Sequence, residues 1–376
     1  MQAEMGWRSQ TVDVLPWLDQ YASRRYGNWT PEVHEAWRLL VSGAYSYNRD
    51  TGYYYHSFVV RRPSTSLEPD TRFRPGDVLQ AWKLLSTTVL GQKLDGTIQP
   101  LLYDLTDFGR QVLVNLFADV YTIHRTALTQ LVATGSTSRA SELSILSATM
   151  LSIVDDVDVL LSANTNFLFG HWLSEALQSA ASSTPDDVLD LIQFNARNQI
   201  TRWGPDGNIE DYAAKEWAGL ISGYYKKRWE IYVSWVKNAT EKGISLNDTY
   251  LSSFLNEFES DWGYQTDHES YPVTTTGDTL ELTSKYLQKY TRDQDYVSSK
   301  YTIMYNMEFT PDNFLYGEPV TLWTDSFEQF VWLCELHPDC IGFSYPPLAF
   351  KSKSANSNDS AIYQFKSGSV LFLKKN

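Results

Sequence analysis

The strongest constraint on the fold of this chain is a spacing of apolar residues. Leu143, Leu146, Met150, Ile153, Val157 and Leu160 recur at alternating steps of three and four. Such steps place all six side chains on one stripe of a helix. Phe108, Val112, Leu116, Val120 and Ile123 repeat the pattern. From Val12 to about Tyr290 this spacing dominates, with Gly135, Pro185, the segment from Trp203 to Asn208 and Gly243 standing as turns or caps. The expected fold is mainly α, a helical bundle. His34 to Leu40 echoes Leu79 to Leu85, each segment carrying an Ala-Trp pair followed by two leucines. Two copies fall short of the roughly three units that a solenoid needs, so these are expected to be two similar core helices.

The texture changes after about Gln294. Tyr301 to Tyr305 and Ser369 to Leu373 alternate as strands do, Phe327 to Leu336 reads as one helix, and the Ser- and Asn-rich stretch from Ser352 to Ser360 reads as a loop. Two units are therefore expected, an all-helical domain over 1–293 and a small α+β appendage over 294–376. The helical spacing also predicts that strands are confined to the tail.

Charge and composition narrow the function. The net charge is −14 and the pI is near 4.9, a balance that repels phosphate backbones and anionic lipid surfaces, so no nucleic-acid partner is expected. No stretch approaches the roughly 18 uninterrupted apolar residues of a membrane helix, and no membrane partner is expected. The first residues carry no apolar signal core. Sequons at Asn28, Asn238, Asn247 and Asn358 nonetheless fit glycosylation in the secretory pathway, and a lysosomal or secreted location is expected. The two cysteines, Cys334 and Cys340, offer one local bridge in exported protein and no wider disulfide framework. Six scattered histidines form no metal-ligand pattern, and neither a metal nor a cofactor is expected.

Several motifs occur in order: Gly6-Trp7-Arg8, Pro16-Trp17-Leu18, Tyr21 to Gly27, Ala36 to Leu40, Val60-Arg61-Arg62-Pro63-Ser64, Tyr103 to Asp107, Phe167 to Trp172, and Thr201 to Tyr212. This series, over roughly residues 5 to 292, resembles the C-terminal region of the family 89 α-N-acetylglucosaminidases. Those hydrolases, of lysosomal type, remove terminal α-linked N-acetylglucosamine from heparan sulfate. The resemblance implies an all-helical third domain that follows a small α/β domain and a (β/α)8 barrel, with the sugar held between barrel and helices. Both catalytic glutamates of the family belong to the barrel, which this chain would follow, so no catalytic residue is expected here. The expected partners are an N-acetylglucosamine-terminated glycan and an upstream catalytic barrel. The tail, with Cys334 on a helix and Cys340 before Ile341-Gly342-Phe343-Ser344-Tyr345, resembles part of an apple or PAN module.

The residues themselves agree on catalysis. Retaining glycoside hydrolysis needs two carboxyl groups about 5 to 5.5 Å apart. Glu210 and Asp211 are adjacent, so on a helix they diverge by about 100°. Asp155, Asp156 and Asp158 read as a solvated helix face. The segment from Trp203 to Tyr212 is the strongest candidate for substrate contact. Pro205-Asp206-Gly207 reads as a turn, Asn208 as an N-cap, and Ile209 and Tyr212 as neighbours on the helix that follows, with Trp203 approaching from the loop. Buried aromatics pinning a helix start give the same residues a purely structural reading, and the resemblance favours substrate contact by Trp203, Asn208, Ile209 and Tyr212. Arg61 and Arg62 are a second candidate contact, with structural ion pairing as their commoner use. Two functions are compatible with these features: one wall of a glycosidase cleft, or a stand-alone, non-catalytic module that binds glycans or other proteins.

Overall fold

The computed structural model describes residues 2–27, 30–46, 57–69, 73–90, 99–204, 207, 209–265, 271–309, 322, 324–337, 340–345, 349–352 and 363–375. It is mainly helical. A short α1 (Gln2–Met5) precedes α2 (Val14–Tyr26), α3 (Pro31–Ser42) and α4 (Pro75–Leu90). Then come the long α5 (Gln99–Thr134) and α6 (Thr137–Ser162), α7 (Phe169–Gln178) and α8 (Asp186–Ile200). A small ladder of β1 (Arg202–Trp203) and β2 (Ile209–Glu210) interrupts the helices before α9 (Lys226–Lys242), α10 (Asp248–Tyr264), α11 (Thr279–Tyr290) and α12 (Gln294–Lys300). The tail holds β3 (Tyr301–Phe309), α13 (Phe327–Leu336), β4 (Cys340–Tyr345), β5 (Ala349–Ser352) and β6 (Tyr363–Lys374).

Local chemistry sets the helix ends. Asp13, Thr30 and Asp278 accept backbone N–H groups at the starts of α2, α3 and α11, which satisfies donors that the helix leaves open. Gly27 and Gly243 close α2 and α9 in the left-handed conformation. α5 is the spine: its 36 residues span about 54 Å. Phe108, Val112, Leu116, Val120 and Ile123 are all buried along it, and Leu143, Leu146, Met150, Ile153, Val157 and Leu160 are all buried along α6. Trp37 and Trp82, the aromatic residues of the repeated segment, are buried on the adjacent helices α3 and α4. A β-carbon on Gly109 of α5 would stand 2.6 Å from the Trp82 ring, so the bare glycine backbone lets α4 approach. Separate motifs meet across this packing: Arg25 and Tyr26 both donate to the Asp104 carboxylate, at 2.5 and 2.6 Å, and Trp37 donates its indole N–H to the Tyr26 hydroxyl.

The tail forms an antiparallel sheet in the order β3-β6-β4-β5. Phe343 of β4 stacks on Phe372 of β6 at 4.7 Å and meets Phe330 of α13 on its other side. The α13 side then docks on the bundle, where Trp332 packs edge-on to Tyr290, Glu335 accepts from Arg292, and the His337 ring lies 2.7 Å from Glu142. Cys334 and Cys340 are joined as a disulfide between α13 and β4. Of the stretch from Ser352 to Ser360 expected to be a loop, Ser352 instead ends β5, and 353–360 lie outside the described residues.

Two further expectations are corrected. Strands are not confined to the tail, because β1 and β2 form a ladder within the helical region. Asp155, Asp156 and Asp158 are not merely a solvated face. Asp155 pairs with Lys226 and Asp156 with Lys289 and the Tyr290 hydroxyl, while Asp158 accepts the backbone N–H groups of Gly219 and Ser222 at 2.8 and 3.0 Å. Asp158 thereby caps the π-turn Ile221–Tyr225 that leads into α9, and burial raises its carboxyl above the usual range.

Candidate functional site

The candidate site is a hairpin between α8 and α9. Thr201 ends α8 by donating its hydroxyl to the Arg197 carbonyl. β1 and β2 then pair antiparallel, Arg202 opposite Glu210 and Trp203 opposite Ile209. Gly207 has φ +68°, and a β-carbon there would lie 2.5 Å from the Arg202 guanidinium, so the turn requires glycine. The expected helix through Ile209 and Tyr212 is therefore absent. Ile209 belongs to a strand, and the chain turns at Asp211, which holds φ +54°. A non-glycine residue rarely adopts that conformation unless its surroundings enforce it. Here the Asp211 N–H donates to the Thr201 carbonyl at 2.7 Å, and both carboxylate oxygens accept from Arg228, at 2.9 and 2.8 Å.

This turn sets the exposed face. Trp203, Ile209 and Tyr212 are 43%, 46% and 55% exposed, and the Trp203 and Tyr212 rings lie 5.0 Å apart at 57°. Three of the four candidate contact residues are thus gathered on one accessible apolar surface. Asn208, like Pro205 and Asp206, lies outside the described residues.

Beneath that face runs a buried chain of charges. Arg228, 1% exposed, reaches Asp211, donates to the Val60 carbonyl at 2.7 Å and stands 3.4 Å from Glu259. Tyr224 and Tyr225 flank its guanidinium at 5.2 and 5.3 Å. Arg62 continues the chain, 3.5 Å from Glu259, 3.1 Å from Glu210, and donating to the Ser252 carbonyl and Asn256. Arg61 points elsewhere, donating to the Glu68 carbonyl and lying over the Phe58 ring. Glu259 is also 1% exposed, and among the described residues its oxygens have ion-pair neighbours but no hydrogen-bond donor. Burial therefore outweighs the attraction of the two arginines and pushes its carboxyl up to about 7. A cavity of about 150 Å³, lined by Thr201, Arg202, Gly207, Glu259 and Tyr264, lies at this level. A second brace stands beside it, where Glu216 accepts from Ser57 and pairs with Arg110. Burial raises that carboxyl too.

Glu210 and Glu259 flank one guanidinium, but they do not form the dyad of a glycosidase. Glu259 is closed to a sugar, and the Arg62 group stands between the two carboxylates. Sequence reasoning missed Arg228 and Glu259. Their only local signal, a charged residue on the apolar side of a helix, is hidden because α9 begins with three consecutive cations ending at Arg228 and α10 places Glu257 and Asp261 on either side of Glu259. Among the described residues no group of three or more His, Cys, Asp or Glu side chains could hold a metal ion, and no helix is long and apolar enough to cross a membrane.

Comparison with known proteins decides the family. The Alpha-N-acetylglucosaminidase (NAGLU) C-terminal domain family matches residues 17–289, most of the helical region just described. The chain belongs to this family. It is 33% identical over 292 residues to human alpha-N-acetylglucosaminidase, covering 77% of the chain and 37% of that relative. Its fold resembles that of a family 89 glycoside hydrolase from Clostridium perfringens in complex with 2-acetamido-1,2-dideoxynojirimycin, with a TM-score of 0.63 and 23% identity over 76% of this chain and 32% of that one. A double glutamate-to-glutamine variant of the C. perfringens enzyme, in complex with its substrate GlcNAc-α-1,4-galactose, matches with the same TM-score and identity. The chain thus spans about a third of the length of these relatives.

Proposed function

We propose that this chain is the C-terminal helical part of an α-N-acetylglucosaminidase and supplies one wall of the cleft that holds a terminal α-linked N-acetylglucosamine. The observation that carries this reading is the exposed Trp203, Ile209 and Tyr212 face on a hairpin fixed from below by Asp211 and Arg228. Sugar rings present apolar C–H faces ringed by hydroxyls, and a rigid pair of amphipathic aromatics matches both features. The catalytic carboxylates lie in a barrel domain that precedes this region, and the helical chain positions the sugar against them. In this reading 1–293 is the family domain and 294–376 a small appendage, and the protein works in the lysosome or outside the cell. The disulfide between Cys334 and Cys340 supports an oxidising compartment. Arg62 acts as a brace, since its hydrogen bonds and ion pairs are within the protein.

The test joins the chain to a matching barrel and follows hydrolysis of a chromogenic α-N-acetylglucosaminide. Contacts away from the reacting bond help to position the sugar, so their loss lowers turnover as well as affinity. Trp203→Ala is expected to cut kcat/KM at least about tenfold, equivalent to about 1.4 kcal/mol of transition-state stabilisation. Tyr212→Phe keeps the ring and should cost less. The isolated chain should turn over nothing. A folded Trp203→Ala fusion with undiminished kcat/KM would remove the wall assignment, and turnover by the isolated chain would remove the division of labour.

A further inference from the structure

A groove of about 620 Å³ runs between α9 and α10, away from the hairpin. Its floor is apolar, with Trp235 of α9 and Phe254 and Phe258 of α10, and Phe254 is 48% exposed. Its rim carries the carboxylates of Glu257 and Asp261 together with the Lys227–Glu230 ion pair, three acidic groups against one cation. Asn238, the acceptor of the Asn238-Ala239-Thr240 sequon, is an exposed lining residue of the same groove. Its side chain makes no hydrogen bond among the described residues, whereas Asn247, the acceptor of the other described sequon, uses its side-chain oxygen to cap α10 and does not line the groove. From Lys227 to Asn238 the lining follows α9 for about 16 Å at 1.5 Å per residue.

We infer that Asn238 carries an N-linked glycan whose first N-acetylglucosamine units lie back along this groove and cover it. The attachment point stands in the groove, so the glycan core is delivered to the aromatic floor without a separate binding step. Its apolar ring faces pack on Trp235 and Phe254, and its hydroxyl and acetamido N–H groups donate to Glu257 and Asp261. The acidic rim disfavours an anionic occupant and suits a neutral one rich in donors. Attachment takes place on the extended chain, before α9 forms. The Asn238 amide nitrogen attacks C1 of a polyprenyl-pyrophosphate-linked oligosaccharide, the new C1–N bond replaces the C1–O bond, the pyrophosphate leaves with the bonding pair, and the amide proton passes to a base. The disulfide between Cys334 and Cys340 fits the secretory compartment where that donor is found.

The chain, secreted from a eukaryotic host, is analysed by glycopeptide mass spectrometry and by hydrogen exchange over 226–264. Asn238 is expected to be occupied in most molecules. Enzymatic removal of its glycan from the folded protein should speed exchange in these two helices at least about threefold, by uncovering the groove. Asn238→Gln should match the stripped protein, and Thr249→Ala, which removes the Asn247 sequon but keeps the Asn247 cap of α10, should leave exchange there unchanged. An unmodified Asn238, or exchange indifferent to stripping, would overturn the proposal. So would protein occupied at Asn238 that dimerises as strongly as the Asn238→Gln chain, because the groove would then be a surface for a second copy rather than for the glycan.

Discussion

Arg228→Met is expected to destabilise the folded chain by about 3–5 kcal/mol, the range found when one partner of a buried ion pair is removed. Methionine approximates the length of the arginine stem and keeps an apolar side chain between Tyr224 and Tyr225. What disappears is the charge, together with the hydrogen bonds to Asp211 and the Val60 carbonyl. Asp211 and Glu259 would then both be left buried without this cation. The urea midpoint should fall with the m value unchanged, since the surface exposed on unfolding is nearly the same. A triple variant adding Asp211→Asn and Glu259→Gln should recover part of the loss, because neutralising the orphaned carboxylates removes the larger share of the cost. A fall of less than about 1 kcal/mol in the single variant would mean that the carboxylates reach water and that the cluster does not brace the hairpin.

The hairpin and its charges also show where sequence reasoning stopped. The long helices were legible because burial along them follows one period: every residue chosen on the α5 and α6 stripes is in the core. Phe327 to Leu336 was legible for the same reason and forms α13 between the same two residues. Trp203, Ile209 and Tyr212 were correctly grouped by position in the chain, yet their conformation was misjudged. A ladder of two residues per strand is too short to show alternation, and Asn208 after a turn resembles a helix cap. The conformation at Asp211 depends on Arg228, seventeen residues on, which no local pattern reveals. Asp155, Asp156 and Asp158 failed similarly. Their partners come from α9, α11 and the π-turn, and a helix face that looks solvated in isolation is a docking surface in the bundle. Periodicity reports which face of an element is apolar, whereas long-range ion pairs report how elements meet, and only the first is written locally.

Stability should depend on pH through Glu259 in a direction opposite to that of most salt-bridged carboxylates. The cluster contains two cations, Arg62 and Arg228, and three carboxylates, Asp211, Glu210 and Glu259. Glu259 is the surplus anion, and it alone is both fully enclosed and without a hydrogen-bond donor among the described residues. Burial, offset in part by Arg228 and Arg62, raises its carboxyl from the ordinary 4.5 to about 7. A raised pKa means that between these values the folded chain holds a proton the unfolded chain has released. Its contribution is therefore fully present below about pH 4.5 and is lost as pH climbs through 7, for a total of about 3 kcal/mol. Glu259→Gln keeps the shape and removes the titration. The stability difference between wild type and variant, read from urea midpoints, should be flat below about pH 4, move in favour of the variant between about pH 4.5 and 7, and level off toward about pH 8. Taking that difference cancels the other buried groups, including His124, which burial holds neutral down to about 3 and which works in the reverse sense. Because Glu259 lies under the turn that presents Trp203 and Tyr212, the proposed sugar wall would be held most firmly in mildly acidic surroundings. Parallel pH curves for the two proteins would show that Glu259 titrates alike in the folded and unfolded chains, and the link between acidity and the hairpin would fall with it.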